Sequence, residues 1–148
     1  MIDFKRVFLD TSPVIYYLQQ DILYFQKTKD ILLTLGLSGA EFVSSDITIA
    51  EYSVFPFRTK NHALLTVLTD FINESQVKII HTSKNIALNA ARIRAEYKGF
   101  KAMDALQIAM AMESGCDLFL TNDKQLKQFS EMKCATVDDM TEIMRGIG

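Results

Sequence analysis

The stretch Val7-Phe8-Leu9-Asp10-Thr11-Ser12-Pro13 decides the fold class, because it joins an apolar strand to a helix through an acid. Residues 4–9 predict a first strand. Ser12 followed by Pro13 predicts a helix start, with serine as the N-cap and proline at the first helical position. Asp10 would then stand at the carboxyl end of a strand, which is where open α/β sheets bind their ligands.

Outward from this stretch, strands and helices alternate along the chain. The predicted strands cover residues 4–9, 41–45, 77–80, 118–121 and 134–137, and the predicted helices cover residues 14–18, 22–35, 48–57, 61–74, 83–98, 102–113, 124–129 and 138–144. Pro56 is expected to bend or stop the third helix. This alternation predicts an α/β fold, a three-layer α/β/α sandwich with a mainly parallel central sheet, formed by residues 1–148 as one domain.

The composition indicates a soluble protein with a full core, since 49% of the 148 residues are hydrophobic. The net charge of -2 is unevenly spread: residues 58–101 hold eight bases and three acids, whereas residues 102–148 hold four bases and eight acids. This contrast is compatible with a metal site that handles a polyanion, and equally with two solvated faces. No signal peptide and no membrane span is recognisable, which predicts a cytoplasmic protein.

Several common kinds of site are not indicated. Cys116 and Cys134 form no C-x-x-C pair, so a structural zinc site is not expected. His62 and His81 have no serine or cysteine in a nucleophile-elbow context, which argues against a histidine-based hydrolase. No glycine-rich phosphate-binding motif occurs in the sequence.

Four carboxylates stand where a metal site would need them. Asp10, Glu51 and Asp123 lie at a strand exit or in the first turns of the following helix, and Asp104 opens an apolar helix. Acids gathered at one sheet edge repel one another unless a hard cation lies between them. The sequence therefore predicts a divalent metal site made of these four side chains.

Each acid also has a purely structural interpretation. Asp10 and Asp123 could be helix N-caps. Glu51 completes the pattern Thr48-Ile49-Ala50-Glu51, which matches a capping box. Asp104 could simply be favoured by the helix dipole, although a charge on a buried helix is costly unless it is paired. For Glu51 in particular, the local sequence leaves both interpretations open.

Taken together, the segments resemble the PIN domain family, close to the VapC-type toxins of bacterial and archaeal toxin–antitoxin modules. The resemblance covers nearly the whole chain. It is carried by four pieces in order: Asp10-Thr11-Ser12, Thr48-Ile49-Ala50-Glu51, Lys101-Ala102-Met103-Asp104-Ala105-Leu106-Gln107-Ile108-Ala109 and Phe119-Leu120-Thr121-Asn122-Asp123.

The resemblance implies a ribonuclease dependent on Mg²⁺ or Mn²⁺. Asp10, Glu51 and Asp104 match the three core acids of the family, and Asp123 matches the more variable fourth. The positions where the family often has small polar groups near the metal are taken by Thr11, Ser12, Thr121 and Asn122. Residues 52–66 lie where the family varies most, so no function is carried over there.

The implied partners are an RNA substrate, a cognate antitoxin protein and a second copy of the chain in a homodimer. Arg92, Arg94 and Lys98 are candidate contacts to the RNA backbone, or else a solvated helix face. The main alternative is a PIN-like module that binds RNA or protein without catalysis, although such a module would be expected to lose at least one of the acids. A response-regulator-like domain or phosphatase is disfavoured because no acid neighbours Asp10.

Overall fold

The computed structural model describes residues 3–147, with side chains to residue 146, and contains five strands and seven α-helices. The strands are β1 (Arg6–Leu9), β2 (Glu41–Ser45), β3 (Lys78–Ile80), β4 (Leu118–Thr121) and β5 (Lys133–Thr136). The helices are α1 (Thr11–Leu18), α2 (Phe25–Leu37), α3 (Asp46–Arg58), α4 (His62–Glu74), α5 (Lys84–Glu96), α6 (Ala102–Glu113) and α7 (Val137–Ile147), with a short 3₁₀ helix at Lys124–Gln128.

The sheet is parallel throughout, in the order β3-β2-β1-β4-β5. Strand β1 lies in the centre, where Phe8 is aligned with Val43 of β2 and with Phe119 of β4. Its residues Val7 and Phe8 are fully buried. A strand covered on both faces carries a continuous apolar run, which is why residues 7–9 show no alternation with polar residues.

Two hydrophobic cores lie on opposite faces of this sheet. Phe8 and Phe119 stack with ring centroids 5.2 Å apart on the face covered by α5 and α6. Val7 and Leu120 point to the other face, which is covered by α1, α2, α3, α4 and α7. The predicted three-layer α/β/α sandwich with a parallel sheet is confirmed. Within residues 3–147, no helix is long and apolar enough to cross a bilayer.

The first helix begins earlier than predicted. Asp10, not Ser12, is the N-cap residue, with extended backbone angles and its N–H bonded to the Leu120 carbonyl at 3.0 Å. Pro13 is therefore the third helical residue, where it is tolerated because N–H groups of the first turn have no partner within the helix. The chain turns immediately after the acid, which keeps Asp10 at the sheet edge.

Pro56 does not stop the third helix, which continues to Arg58. A proline within a helix removes the hydrogen bond to the carbonyl four residues earlier, here that of Tyr52. The side-chain amide of Gln19 donates to this Tyr52 oxygen at 3.3 Å. The tertiary contact thus replaces the lost helical bond, which local sequence could not reveal.

Candidate active site

The carboxyl edge of the sheet brings together residues that are distant in sequence. Asp10 follows the central strand β1, and Asp123 follows its neighbour β4 by two residues. Glu51 lies in the second turn of α3, which begins directly after β2. Asp104 lies in the first turn of α6. Parallel strands end at one edge, so three of these acids converge by topology alone.

Asp10 is a buried acid at the centre of this edge. Thr121 donates its hydroxyl to Asp10 Oδ2 at 2.8 Å, and the Gln107 side-chain amide donates to Oδ1 at 3.3 Å. Burial, together with a smaller contribution from the negative charge of Asp104, raises the pKa of Asp10 to about 6, although these two hydrogen bonds and the one from the Thr11 N–H act to lower it. An ionised Asp10 therefore lacks compensating positive charge, which is what a bound cation would supply.

Asp104 links the other acids electrostatically. Its half-buried carboxyl has a raised pKa, first because of burial and then because of the negative charges of Asp123 and Glu51, while Lys101 lowers it. Asp104 thus interacts with each of the three other predicted acids. This mutual repulsion is the electrostatic condition under which a shared cation is favourable.

Glu51 is not part of a capping box. The N-cap of α3 is Ser45, whose hydroxyl accepts the Thr48 N–H at 3.2 Å, so Thr48 is the third helical residue and Glu51 lies beyond the first turn. The carboxylate of Glu51 instead accepts a hydrogen bond from the Thr11 hydroxyl at 2.6 Å. Glu51 therefore faces the residue that follows Asp10.

Asp123 does serve as an N-cap, for the 3₁₀ helix: its Oδ1 accepts the Gln125 N–H at 3.0 Å. Its own N–H donates to the Thr121 hydroxyl at 3.1 Å. The same threonine contacts Asp10, so Thr121 joins the ends of β1 and β4. The capping interpretation of Asp123 holds, and it is compatible with an additional role in metal binding.

Two of the four predicted small polar groups contact a tyrosine in place of an acid. The Asn122 side-chain amide donates to the Tyr16 hydroxyl oxygen at 2.6 Å. Burial raises the pKa of Tyr16, and hydrogen bonds from Asn122 and Ser12 partly offset that rise. Thr11 and Thr121 donate to carboxylates, whereas Ser12 and Asn122 interact with the Tyr16 hydroxyl.

Gln107 is a residue of this site that the sequence analysis did not single out. It lies on α6 three residues after Asp104, is 1% exposed, and contacts Asp10 as well as Ser45 and Thr48. One signal was present: in the otherwise apolar stretch after Asp104, Gln107 is polar at a spacing that places both side chains on one helix face. Buried amides are almost always hydrogen-bonded.

The donor set suits a hard divalent cation. All four acids offer carboxylate oxygens, which Mg²⁺ and Mn²⁺ prefer, and neither sulfur nor imidazole is involved. Across residues 3–147, no three acidic, histidine or cysteine side chains are drawn together closely enough to hold an ion as they stand. The chemistry of the donors and the buried charge of Asp10 fit the implied metal.

The three candidate RNA contacts differ in their surroundings. Arg92 pairs with Glu96 at 2.7 Å and with Glu131 at 3.0 Å, so its charge is compensated within the chain. Arg94 donates from Nε to the Phe100 carbonyl at 3.3 Å, and Lys98 is exposed. An RNA contact stays a prediction for all three.

Comparison with known families assigns the chain to a protein family. The model of the PIN domain matches residues 7–132, which include all four acids and Gln107. The chain belongs to the PIN domain family. The match covers most of the PIN domain's described elements, from the middle of β1 to the residue before β5.

Solved structures share the fold of this PIN domain at low sequence identity. A VapBC2 complex from Rickettsia felis bound to a promoter DNA fragment has a TM-score of 0.72 and 18% identity, covering 88% of this chain and 98% of that one. A toxin–antitoxin complex from Klebsiella pneumoniae has a TM-score of 0.65 and 23% identity, and the match covers 88% of this chain and 97% of that one. VapC20 from Mycobacterium tuberculosis is a toxin that cleaves the sarcin–ricin loop. It has a TM-score of 0.64 and 17% identity, and the match covers 86% of this chain and 98% of that one. No curated protein matched the sequence.

Proposed function

We propose that this PIN domain is a metal-dependent endoribonuclease of the cytoplasm and the toxin of a toxin–antitoxin module. The observation that carries the proposal is the set of four acids at the carboxyl edge of the sheet, linked to one another through Asp104. Structural similarity to toxin–antitoxin complexes supports the choice of an antitoxin as partner, and similarity to a toxin that cleaves the sarcin–ricin loop supports the choice of RNA as substrate.

Each acid has a proposed role. Asp10 and Asp104 bind Mg²⁺ or Mn²⁺ directly, and Glu51 and Asp123 bind it directly or through water. A cation held there supplies the positive charge that activates a water and stabilises negative charge on the phosphate. The chain's own contribution is to hold Asp10 ionised and oriented, through the hydrogen bonds from Thr121 and Gln107. Cleavage would leave a 5′-phosphate and a 3′-hydroxyl.

The purified protein should cleave RNA in the presence of Mn²⁺ or Mg²⁺ and not in EDTA. The measurement uses transfer RNA, ribosomal RNA and messenger RNA as separate substrates, with the ends of the products identified chemically. Binding of Mn²⁺ alone is measured in parallel by calorimetry. If the protein neither cleaves any of these RNAs nor binds Mn²⁺, the catalytic proposal fails and a non-catalytic binding module takes its place.

The proposed antitoxin has an apolar groove available to it. A cavity of about 390 Å³ between α1, α2 and α4 is lined mainly by Tyr17, Leu32, Leu33, Leu37, Phe42 and Phe71. Leu37 is 81% exposed at its edge and Leu33 is 56% exposed. A contiguous patch of exposed apolar side chains marks a protein interaction site, whereas a single exposed apolar residue is ordinary.

Leu37→Asp is expected to weaken binding of the protein encoded by the neighbouring gene by at least tenfold, because a charge would be buried against the partner's apolar side chain. Leu88→Asp is the matched control: Leu88 is 60% exposed on α5, which covers the opposite face of the sheet. Titration calorimetry with both variants measures the difference. Equal loss in the two variants, or none in either, contradicts the groove as the binding site.

The proposed homodimer is compatible with a second exposed apolar surface. Phe55 and Phe57, near the end of α3, are 51% and 62% exposed. Exposed aromatic residues are enriched at protein interfaces. The dimer stays a prediction.

A further inference from the structure

We propose that Gln107 is a positioning residue that connects Asp10 to Glu51 through Thr48 and Thr11, and so presets the two acids for one divalent cation. This inference rests on the proposed function and deepens it. Gln107 and Thr48 lie among the matched PIN residues but are neither acids nor small polar groups of the predicted set. Their role follows from the hydrogen bonds of the buried amide.

The Gln107 amide is buried and fully used. Its Nε2 group donates one hydrogen to Asp10 Oδ1 at 3.3 Å and the other to the Thr48 hydroxyl at 2.7 Å. Its Oε1 atom accepts the Ser45 hydroxyl. Because the oxygen is engaged by Ser45 and an ionised Asp10 can only accept, the amide has one orientation in which every partner is satisfied.

The hydrogen bonds beyond Thr48 have a defined direction. An ionised Glu51 can only accept, so the Thr11 hydroxyl donates to it at 2.6 Å. Thr11 has then spent its one hydroxyl hydrogen, and it must accept from Thr48 across the 3.3 Å that separate the two hydroxyl oxygens. Thr48 in turn accepts from Gln107. The series of hydrogen bonds therefore runs from the buried Gln107 amide to the exposed Glu51 carboxylate, and each hydroxyl in it donates once and accepts once.

This arrangement ties together four segments, three of which carry a predicted acid. Asp10 directly follows β1, Glu51 lies on α3, Ser45 ends β2, and Gln107 lies on the face of α6 that also carries Asp104. A rotation of α6 about its axis would move Asp104 and break all three hydrogen bonds of Gln107. The amide thus fixes the position of Asp104 relative to Asp10 as well as the orientation of Glu51.

Thr48→Val is the sharpest test, because valine has the shape of threonine and leaves the backbone bond from Thr48 to Ser45 in place. We expect its affinity for Mn²⁺, measured by calorimetry, to fall about 10- to 100-fold, the usual cost of losing an outer-shell partner. Thr48→Ser keeps the hydroxyl and should bind Mn²⁺ within about twofold of the original protein. RNA cleavage should lose kcat with little change in KM.

A double-mutant cycle separates positioning from a general structural effect. If Thr48 acts through Glu51, Thr48→Val should weaken Mn²⁺ binding in the original protein and have less than about a twofold further effect in a Glu51→Gln background. Gln107→Leu should weaken binding in both backgrounds, because Gln107 also contacts Asp10 directly. Thermal unfolding identifies any variant that does not fold. If Glu51→Gln or Gln107→Leu does not fold, the difference in Mn²⁺ affinity between Thr48→Val and Thr48→Ser tests the proposal by itself.

Thr28→Val is the control for loss of a buried hydroxyl. Thr28 is fully buried on α2, and its hydroxyl has no hydrogen-bond partner among residues 3–147. Its replacement should leave Mn²⁺ affinity unchanged. If Thr48→Val and Gln107→Leu bind Mn²⁺ as the original protein does while Asp104→Asn does not, the role of Gln107 is overturned and the metal site stands. If the original protein binds no Mn²⁺, both proposals fall.

Discussion

Asp104→Asn is expected to reduce metal-dependent RNA cleavage by well over about 100-fold, since loss of even an outer-shell metal partner costs 10- to 100-fold. Asparagine has the shape of aspartate but no charge, so the variant loses an anionic ligand without losing volume. Asp104 is also the acid through which the other three interact electrostatically. The measurement is the single-turnover cleavage rate at saturating Mn²⁺, beside the Mn²⁺ affinity.

The variant should fold at least as well as the original protein when no metal is bound. The pKa of Asp104 is raised by burial and by Asp123 and Glu51, so its ionised form is unfavourable in the folded state. Asp70→Asn is the matched control, an exposed aspartate on α4 outside the acid cluster. A cleavage rate for Asp104→Asn within threefold of the Asp70→Asn rate would remove Asp104 from the site.

Asp10→Asn is expected to raise the free energy of unfolding of the metal-free protein at pH 8 by about 3 kcal/mol. Folding raises the pKa of Asp10 from 3.8 to about 6, so its ionised form destabilises the folded state by about that amount, and asparagine carries no charge. Asparagine can still accept from Gln107 through its oxygen, and its amide can donate to the Thr121 hydroxyl, which reverses the bond that Thr121 makes to Asp10. Addition of Mn²⁺ should reverse the order, because only the original protein gains stability from binding it. Urea unfolding in EDTA and in Mn²⁺ measures both effects.

The pH dependence of this difference follows from the sign of the pKa shift. Because the folded pKa of Asp10 lies above the unfolded value, the folded state holds the proton more tightly, and ionisation of Asp10 costs stability as pH rises. The cost is fully present above about pH 6 and disappears below about pH 4. The charge of Asp104 acts in the same direction, because removal of the Asp10 charge also makes ionisation of Asp104 less unfavourable in the variant. A stability difference that stays constant between pH 4 and pH 8 would contradict the prediction.

Much of the fold could be predicted from local patterns. The strands 41–45 and 118–121 and the helix 102–113 were predicted with the bounds that the structure has. Each contains an apolar run with a glycine, serine, asparagine or aspartate within a few residues of either end, so the signals for it are local. The start of α2 was predicted too early, because the Asp21 carboxylate accepts the N–H groups of Leu23 and Tyr24 and holds those residues in a turn.

The sequence by itself determined that this is a parallel α/β protein with acids at the ends of its strands. Both properties depend on short-range patterns, namely the alternation of elements and the residue that follows each strand. Glu51 was ambiguous at this level, because Thr48-Ile49-Ala50-Glu51 satisfies a local capping pattern equally well.

Only the tertiary structure decided how those acids are held. The bonds from Gln107 to Asp10 and from Thr121 to Asp10 join residues 97 and 111 positions apart, and the one from Thr11 to Glu51 joins residues 40 apart. Such contacts arise from the order of strands in the sheet and the packing of α6 against it. Hydrogen bonds between distant segments leave no periodic signal in the chain, and they become visible only once the sheet has brought the segments together.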